Sequence, residues 1–162
     1  MVPEAAAVEP LRLRHSKAAR DGVPAHVTVL VPFVPPAQID EAVRDELRGL
    51  FAEVPAFEFT LRRANRWEPG ILWLAPEPDE PFRGLTRVVT DRWPEYPPYG
   101  GEHPENIPHL TVTHDVSPAD VEGAEEALRS MLPIRAYADN VGLWTEDETG
   151  RWSELERYRL AP

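Results

Sequence analysis

The runs AHVTV at residues 25–29 and PHLTV at 108–112 set a histidine, an aliphatic residue and a threonine in one frame twice, as His26 with Thr28 and His109 with Thr111. Imidazole titrates near 6.5, so of two rings facing one centre, one can be neutral while the other is protonated close to neutrality. Such a pair suits displacement at a phosphodiester. That reaction needs a base on the attacking hydroxyl or water, an acid on the leaving oxygen, and donors for the non-bridging oxygens. The hydroxyls of Thr28 and Thr111 are candidate donors. A lone strand histidine is ordinarily a structural hydrogen-bonding residue; the repeated frame makes this pair a catalytic candidate.

These residues need a strand beneath them, because side chains two apart on a strand face the same way. The β-branched run at 25–31 predicts one, with His26, Thr28 and Leu30 on one face, Val27, Val29 and Val31 on the other, and Pro32, Pro35 and Pro36 ending it. In the second run His109, Thr111 and Thr113 share a face opposite Leu110 and Val112. Each apolar face can pack under a helix and leave its imidazole and hydroxyl on the opposite surface.

The remaining elements follow from periodicity. From Gln38 to Phe51, Ile39, Ala42, Val43, Leu47, Leu50 and Phe51 recur at three and four, which predicts an amphipathic helix. Phe57, Phe59 and Leu61 alternate as on a strand, 62–70 reads as a turn region ending at Gly70, and 71–75 returns as a second strand. A second helix is predicted from Phe82 to Trp93, followed by a long Pro/Gly loop at 94–108. Ser117-Pro118-Ala119-Asp120 reads as a helix start with proline at the first helical position. That third helix turns Val121, Ala124, Leu128, Met131 and Leu132 inward, and residues 135–145 and 151–160 read as a closing hairpin around a turn ending at Gly150. Residues 4–19 have helical composition, with Val8, Leu11 and Leu13 as apolar contacts and Pro10 as an interruption.

Setting His26 on His109 brings Ile39 onto Glu122 inside the third helix and Gly70 close to Gly150. The pattern predicts an α+β fold in which a β-α-β-β unit occurs twice. A pseudo-twofold pairing of the copies brings the two His/Thr surfaces together across a groove.

Composition bounds the partners. A chain of 162 residues is expected to form a single domain over 1–162. With no cysteine there is no disulfide framework, thiolate metal site or cysteine nucleophile. A net charge of −11 disfavours tracking along a polyanion and leaves a small anionic substrate in a local pocket. The N-terminus lacks the pattern of a secretory signal and no apolar run spans a bilayer, so a soluble, cytoplasmic, monomeric protein without membrane contact is expected.

With HVTV, HLTV, the Pro32-Phe33 that follows the first motif, and the duplicated order of elements, the chain resembles the two-histidine (2H) phosphoesterases, which include 2′-5′ RNA ligase-like proteins and cyclic nucleotide phosphodiesterases. The resemblance implies a bilobal fold with two antiparallel sheets forming a V-shaped cleft and helices outside. It implies metal-independent, cofactor-free attack on a 2′,3′-cyclic or 2′-5′ phosphodiester of a nucleotide or RNA end. His26 would be the proton donor, His109 the acceptor, and Thr28 and Thr111 the phosphate-binding hydroxyls. RNA end-joining in the reverse direction and a non-catalytic nucleotide or RNA-end binding module are the alternatives. Two features depart from the family pattern: little chain precedes the first helical segment, where members carry a strand, and the surface is acidic.

Other residues invite weaker readings. His103 and His114 flank His109, but His114 falls on the opposite strand face and no spacing fits a zinc site, so no metal is expected. His15 reads as surface. Among Trp67, Trp73, Trp93, Tyr96, Tyr99, Trp144 and Trp152, most read as core or hairpin packing. Tyr99, in the loop leading to His109, is the candidate for stacking on a nucleobase. Arg63 and Arg66 sit in the predicted turn and could approach an anion, though a solvated turn is the simpler reading.

Overall fold

The computed structural model describes residues 1–103 and 105–162; Pro104, within the predicted loop, lies outside the described residues. The chain opens with a 3-10 stretch, Pro3–Val8, then α1 (Glu9–His15) and α2 (Lys17–Arg20). It continues through α3 (Glu41–Ala52), β1 (Phe57–Trp67), β2 (Ile71–Glu77), α4 (Glu80–Arg92), β3 (Leu110–Thr113) and α5 (Pro118–Leu128), and ends with β4 (Ile134–Ala138), β5 (Asn140–Glu146) and β6 (Trp152–Arg159). The fold is α+β, with a four-stranded antiparallel sheet in the order β3-β2-β1-β4 and a two-stranded sheet of β5 and β6.

The cap at Ser117 acts where the sequence places it, and Asp40 supplies another. The Asp40 side chain accepts from Val43 N at 3.0 Å to cap α3. Ser117 accepts from Asp120 N at 3.2 Å to cap α5, with Pro118 at its first position. Leu61, Leu72, Leu74, Leu110, Val112 and Leu128 are fully buried, and one apolar core runs from Val2 to Leu160.

Four expectations are corrected. Residues 25–31 form no ladder; they run as an irregular, unpaired segment that bends at Ala25, Val29 and Val31. Isolated bonds hold this segment instead: Val2 N donates to Ala25 O at 2.9 Å, Thr86 Oγ1 to Val29 O at 2.7 Å, and Tyr99 N to Val31 O at 2.6 Å. Proline-flanked at both ends, it supplies β-branched residues but has no strand in register to pair with. The first β of the first copy is thus missing as a paired strand.

Second, residues 62–67 are strand, because β1 runs on to Trp67 past a bulge between Leu61 and Ala64. Third, the closing segment splits at Asp139: β4 leaves to pair with β1, and only β5 pairs with β6. Fourth, Val8 and Leu11 pack on the core as expected, but Leu13 is 52% exposed, and the fully inward stripe runs Val8, Arg12 and His15, spaced four and three apart, with Arg12 1% and His15 8% exposed. His15, expected at the surface, is buried because α1 lies along the free edge of β3, where His15 O accepts from His114 N at 2.9 Å.

The repeat survives in the turns. Gly70, between β1 and β2, has φ of 71°, and Gly150, between β5 and β6, has φ of 82°. Both occupy the left-handed region that favours glycine.

Candidate active site

His109 stands immediately before β3, the edge strand of the larger sheet. Thr111 lies opposite Trp73 on β2, which lies opposite Asn65 on β1, so these three side chains form a row across one face. His109, two residues before Thr111, projects from that face. Trp67 meets its ring edge-on at 4.7 Å between centroids, and Trp73 lies at 5.9 Å; the two indoles stack on each other at 4.4 Å. The imidazole therefore has an aromatic wall.

Thr113, expected on the same face, is not there. Between Leu72 and Trp73 the pairing slips, because Trp73 opposes Thr111 while Leu72 opposes Thr113, which makes Val112 the extra residue of a bulge. One added residue inverts the side-chain alternation. Thr113 is consequently fully buried, and its hydroxyl accepts from Leu72 N at 2.9 Å and donates to Gly70 O at 3.1 Å.

His26 and Thr28 line a cavity of about 570 Å³ between the 25–31 segment, the helices α3 and α4, and β5. The predicted alternation does not hold along this segment: Val27, Val29 and Leu30 all pack against the core, and Val31 is exposed. The two histidines share a local device. His26 Nδ1 is 2.8 Å from Pro24 O, and His109 Nδ1 is 2.7 Å from Ile107 O, each carbonyl two residues upstream. A carbonyl only accepts, so Nδ1 carries the hydrogen in both rings and Nε2 is left as the exchanging nitrogen. Among the described residues neither Thr28 nor Thr111 has its hydroxyl in a hydrogen bond.

Both imidazoles are held below their ordinary pKa. Burial lowers His26 from 6.5 to about 4; the bond to Pro24 opposes this, and the positive charges of Arg12, the Met1 amino group and His109 add to the lowering. The cavity that His26 and Thr28 line does not include His109 or Thr111 in its wall. Burial likewise lowers His109, opposed by its bond to Ile107. Without a ligand, both rings are neutral at pH 7.

Tyr99 lies in the loop that leads to His109. Its φ is 52°, its backbone fastens the end of the 25–31 segment through Val31 O, and its ring packs edge-on to His103 at 5.4 Å. Arg63 and Arg66 lie on β1 and are engaged by carboxylates, Arg63 with Glu77 at 2.7 Å and Arg66 with Glu125. No group of three or more metal-ligating side chains forms among the described residues. No helix among them is long and apolar enough to cross a membrane.

Two contributors are not evident from the sequence. The indoles of Trp67 and Trp73 read there as core or hairpin aromatics, although Trp73 opposes Thr111 of PHLTV once β2 is paired with β3, and Trp67 on β1 stacks on Trp73. Nothing in the sequence singles out Glu9, and the one signal for Arg12 is its place in the stripe Val8, Arg12, His15.

Several solved structures share this fold. A crystal structure of Escherichia coli LigT complexed with 3′-AMP superposes with a TM-score of 0.61 at 18% identity, covering 100% of this chain and 95% of that one. The E. coli LigT complex with ATP gives 0.57 at 19%, with the same coverage. TT0787 of Thermus thermophilus gives 0.54 at 17%, covering 97% of this chain and 91% of that one. No curated protein matches the sequence. The profile of the 2′-5′ RNA ligase superfamily matches residues 2–150, and the chain belongs to that family of 2H phosphoesterases.

Proposed function

We propose that this chain is a phosphodiesterase acting on a 2′,3′-cyclic or 2′-5′ phosphodiester of a nucleotide or RNA end, by acid-base catalysis between His26 and His109. The observation that carries the reading is the matched pair of Nδ1 tethers, which present Nε2 of both HxTx histidines with the same tautomer. Family membership and the nucleotides bound to LigT in its structures, 3′-AMP and ATP, support a small nucleotide as the ligand.

In hydrolysis, neutral His109 takes a proton from water as its oxygen bonds to phosphorus. The bond to the leaving ribose oxygen breaks, and His26 gives that oxygen a proton, leaving a phosphomonoester. Thr28 and Thr111 donate to the non-bridging oxygens. His26 begins neutral, so it must acquire its proton with the substrate. The negative charge of a phosphodiester beside the ring favours the imidazolium and opposes the burial that disfavours it. Two imidazoles supply both proton transfers, so the step needs no metal. The whole chain acts as one unit in this reading.

The test is turnover of 2′,3′-cyclic nucleotides and 2′-5′ dinucleotides with chelator present. His26→Ala and His109→Ala should each lower kcat by about 100- to 10,000-fold, the span of a lost general acid or base. Either variant retaining wild-type turnover would refute the roles.

A further inference from the structure

Arg12 is a charged side chain with 1% of its surface exposed, lying under the two histidine motifs. Burying a guanidinium is costly unless its donors find partners, and its five N–H groups form a rigid planar fork. Here the partners come from both motifs. Nε donates to Thr111 O at 3.0 Å, and Nη1 donates to Val23 O at 3.1 Å. Nη1 also donates to the Glu9 carboxylate at 2.9 and 3.0 Å. Glu9 Oε1 in turn accepts from the backbone N–H of Ala25.

Val23 and Ala25 lead directly into His26, and Thr111 follows His109 by two residues. No ladder joins the two segments: residues 25–31 are unpaired, and β3 pairs only with β2 among the described strands. As the edge strand, β3 has outward carbonyls without ladder partners, and Arg12 supplies one for Thr111.

We propose that the Glu9–Arg12 pair is a positioning element of the cleft, one rigid fork that ties the backbone before His26 to the backbone after His109 and so sets the separation of their Nε2 atoms. Its kinetic consequence rests on the phosphodiesterase reading; its structural consequence does not. A buried ion pair is weak evidence for stability, since apolar replacements of similar volume are often neutral or better. Its value here is geometric, because a reacting group displaced by about 1 Å can cost on the order of 100-fold in rate. Arg12 also adds positive charge against His26, together with the Met1 amino group and His109.

The experiment uses the full chain with Arg12→Lys, which keeps the charge but loses the fork, and Arg12→Met, which loses both. Turnover of a 2′,3′-cyclic nucleotide is measured beside NMR titration of the His26 and His109 ring protons. Arg12→Lys should lower kcat by about 10- to 100-fold with KM within about 3-fold, the pattern of a lost transition-state alignment. It should also move the ring resonances of both histidines. Arg12→Met should in addition raise the pKa of His26, while Arg12→Lys leaves it low. Should Arg12→Met fail to fold, Arg12→Lys still decides. Wild-type kcat with unmoved histidine resonances in Arg12→Lys overturns the proposal. If the wild type turns over no phosphodiester, the functional reading fails, and movement of both histidines on Arg12→Lys still supports the positioning role.

Discussion

The depressed pKa of His26 makes folding stability depend on pH in a window that the substitution His26→Asn isolates. At pH above 6.5 the ring is neutral in folded and unfolded chains alike, and it contributes no pH dependence. Between 6.5 and about 4 the unfolded chain takes up a proton that the native ring refuses. The unfolded state then binds more protons, so stability falls as pH falls through this window, and the loss is complete near the folded value. A drop from 6.5 to about 4 corresponds to at most ~3 kcal/mol. The ring is only half-buried, and solvent screening reduces the expected loss to about 2 kcal/mol. Asparagine can offer an amide N–H to Pro24 O but does not titrate. Urea unfolding of wild type and His26→Asn at about pH 7, 6 and 5 gives a difference from which the carboxylates common to both proteins cancel. Wild type should lose stability relative to the variant as pH falls. A difference constant with pH, or a His26 ring titrating near 6.5 by NMR, would contradict the electrostatic account of the cleft.

Substitutions at Gly70 and Thr113 test the geometry that carries His109, with Gly150→Ala as the comparison. Gly70→Ala should destabilise by at least about 2 kcal/mol, because φ is 71° and a Cβ would lie 2.3 Å from Val116 O, a backbone atom that cannot swing aside. Gly150→Ala, with the same backbone sign but its nearest neighbour 3.6 Å away, should cost only about 1 kcal/mol; equal losses in thermal unfolding would count against the close-approach argument. Thr113→Val, nearly isosteric, strands Leu72 N and Gly70 O at the bulge and should cost about 2 to 4 kcal/mol in urea titration, with a loss below about 0.5 kcal/mol telling against the hydroxyl as bulge partner.

Patterns confined to one element are legible in the sequence. The cap at Ser117 and most of the apolar stripe of α3 depend on neighbours within a few residues, and the structure keeps them, with Ile39 just ahead of the helix and Ala42 exposed. What the sequence hides depends on partners far along the chain. A run such as AHVTVLV has strand composition, but a strand exists only where another lies in register, and the flanking prolines with isolated tethers from Thr86 and Tyr99 leave this run unpaired. Thr113 shows the same limit at finer scale: alternation assigns it to the His109 face, and one extra residue at Val112 reverses it. Arg12 is hidden because charge in a short helix reads as surface, whereas the edge of β3 and the backbone around Val23 make it an interior residue.

The two histidine motifs, alike in sequence, are held by different physics. His109 inherits its place from a ladder and an aromatic wall, so many weak contacts share the task of fixing its ring. His26 rests on a segment with no ladder, secured by separate hydrogen bonds: Ala25 N donates to Glu9, and the segment's carbonyls accept from Thr86 and the backbone of Tyr99. A ladder fails cooperatively, whereas a segment on a few tethers can yield locally when one is removed. The half that would donate the proton is therefore the half whose position depends on individually identifiable side chains, and the buried guanidinium of Arg12 is the one among them that also reaches the other motif.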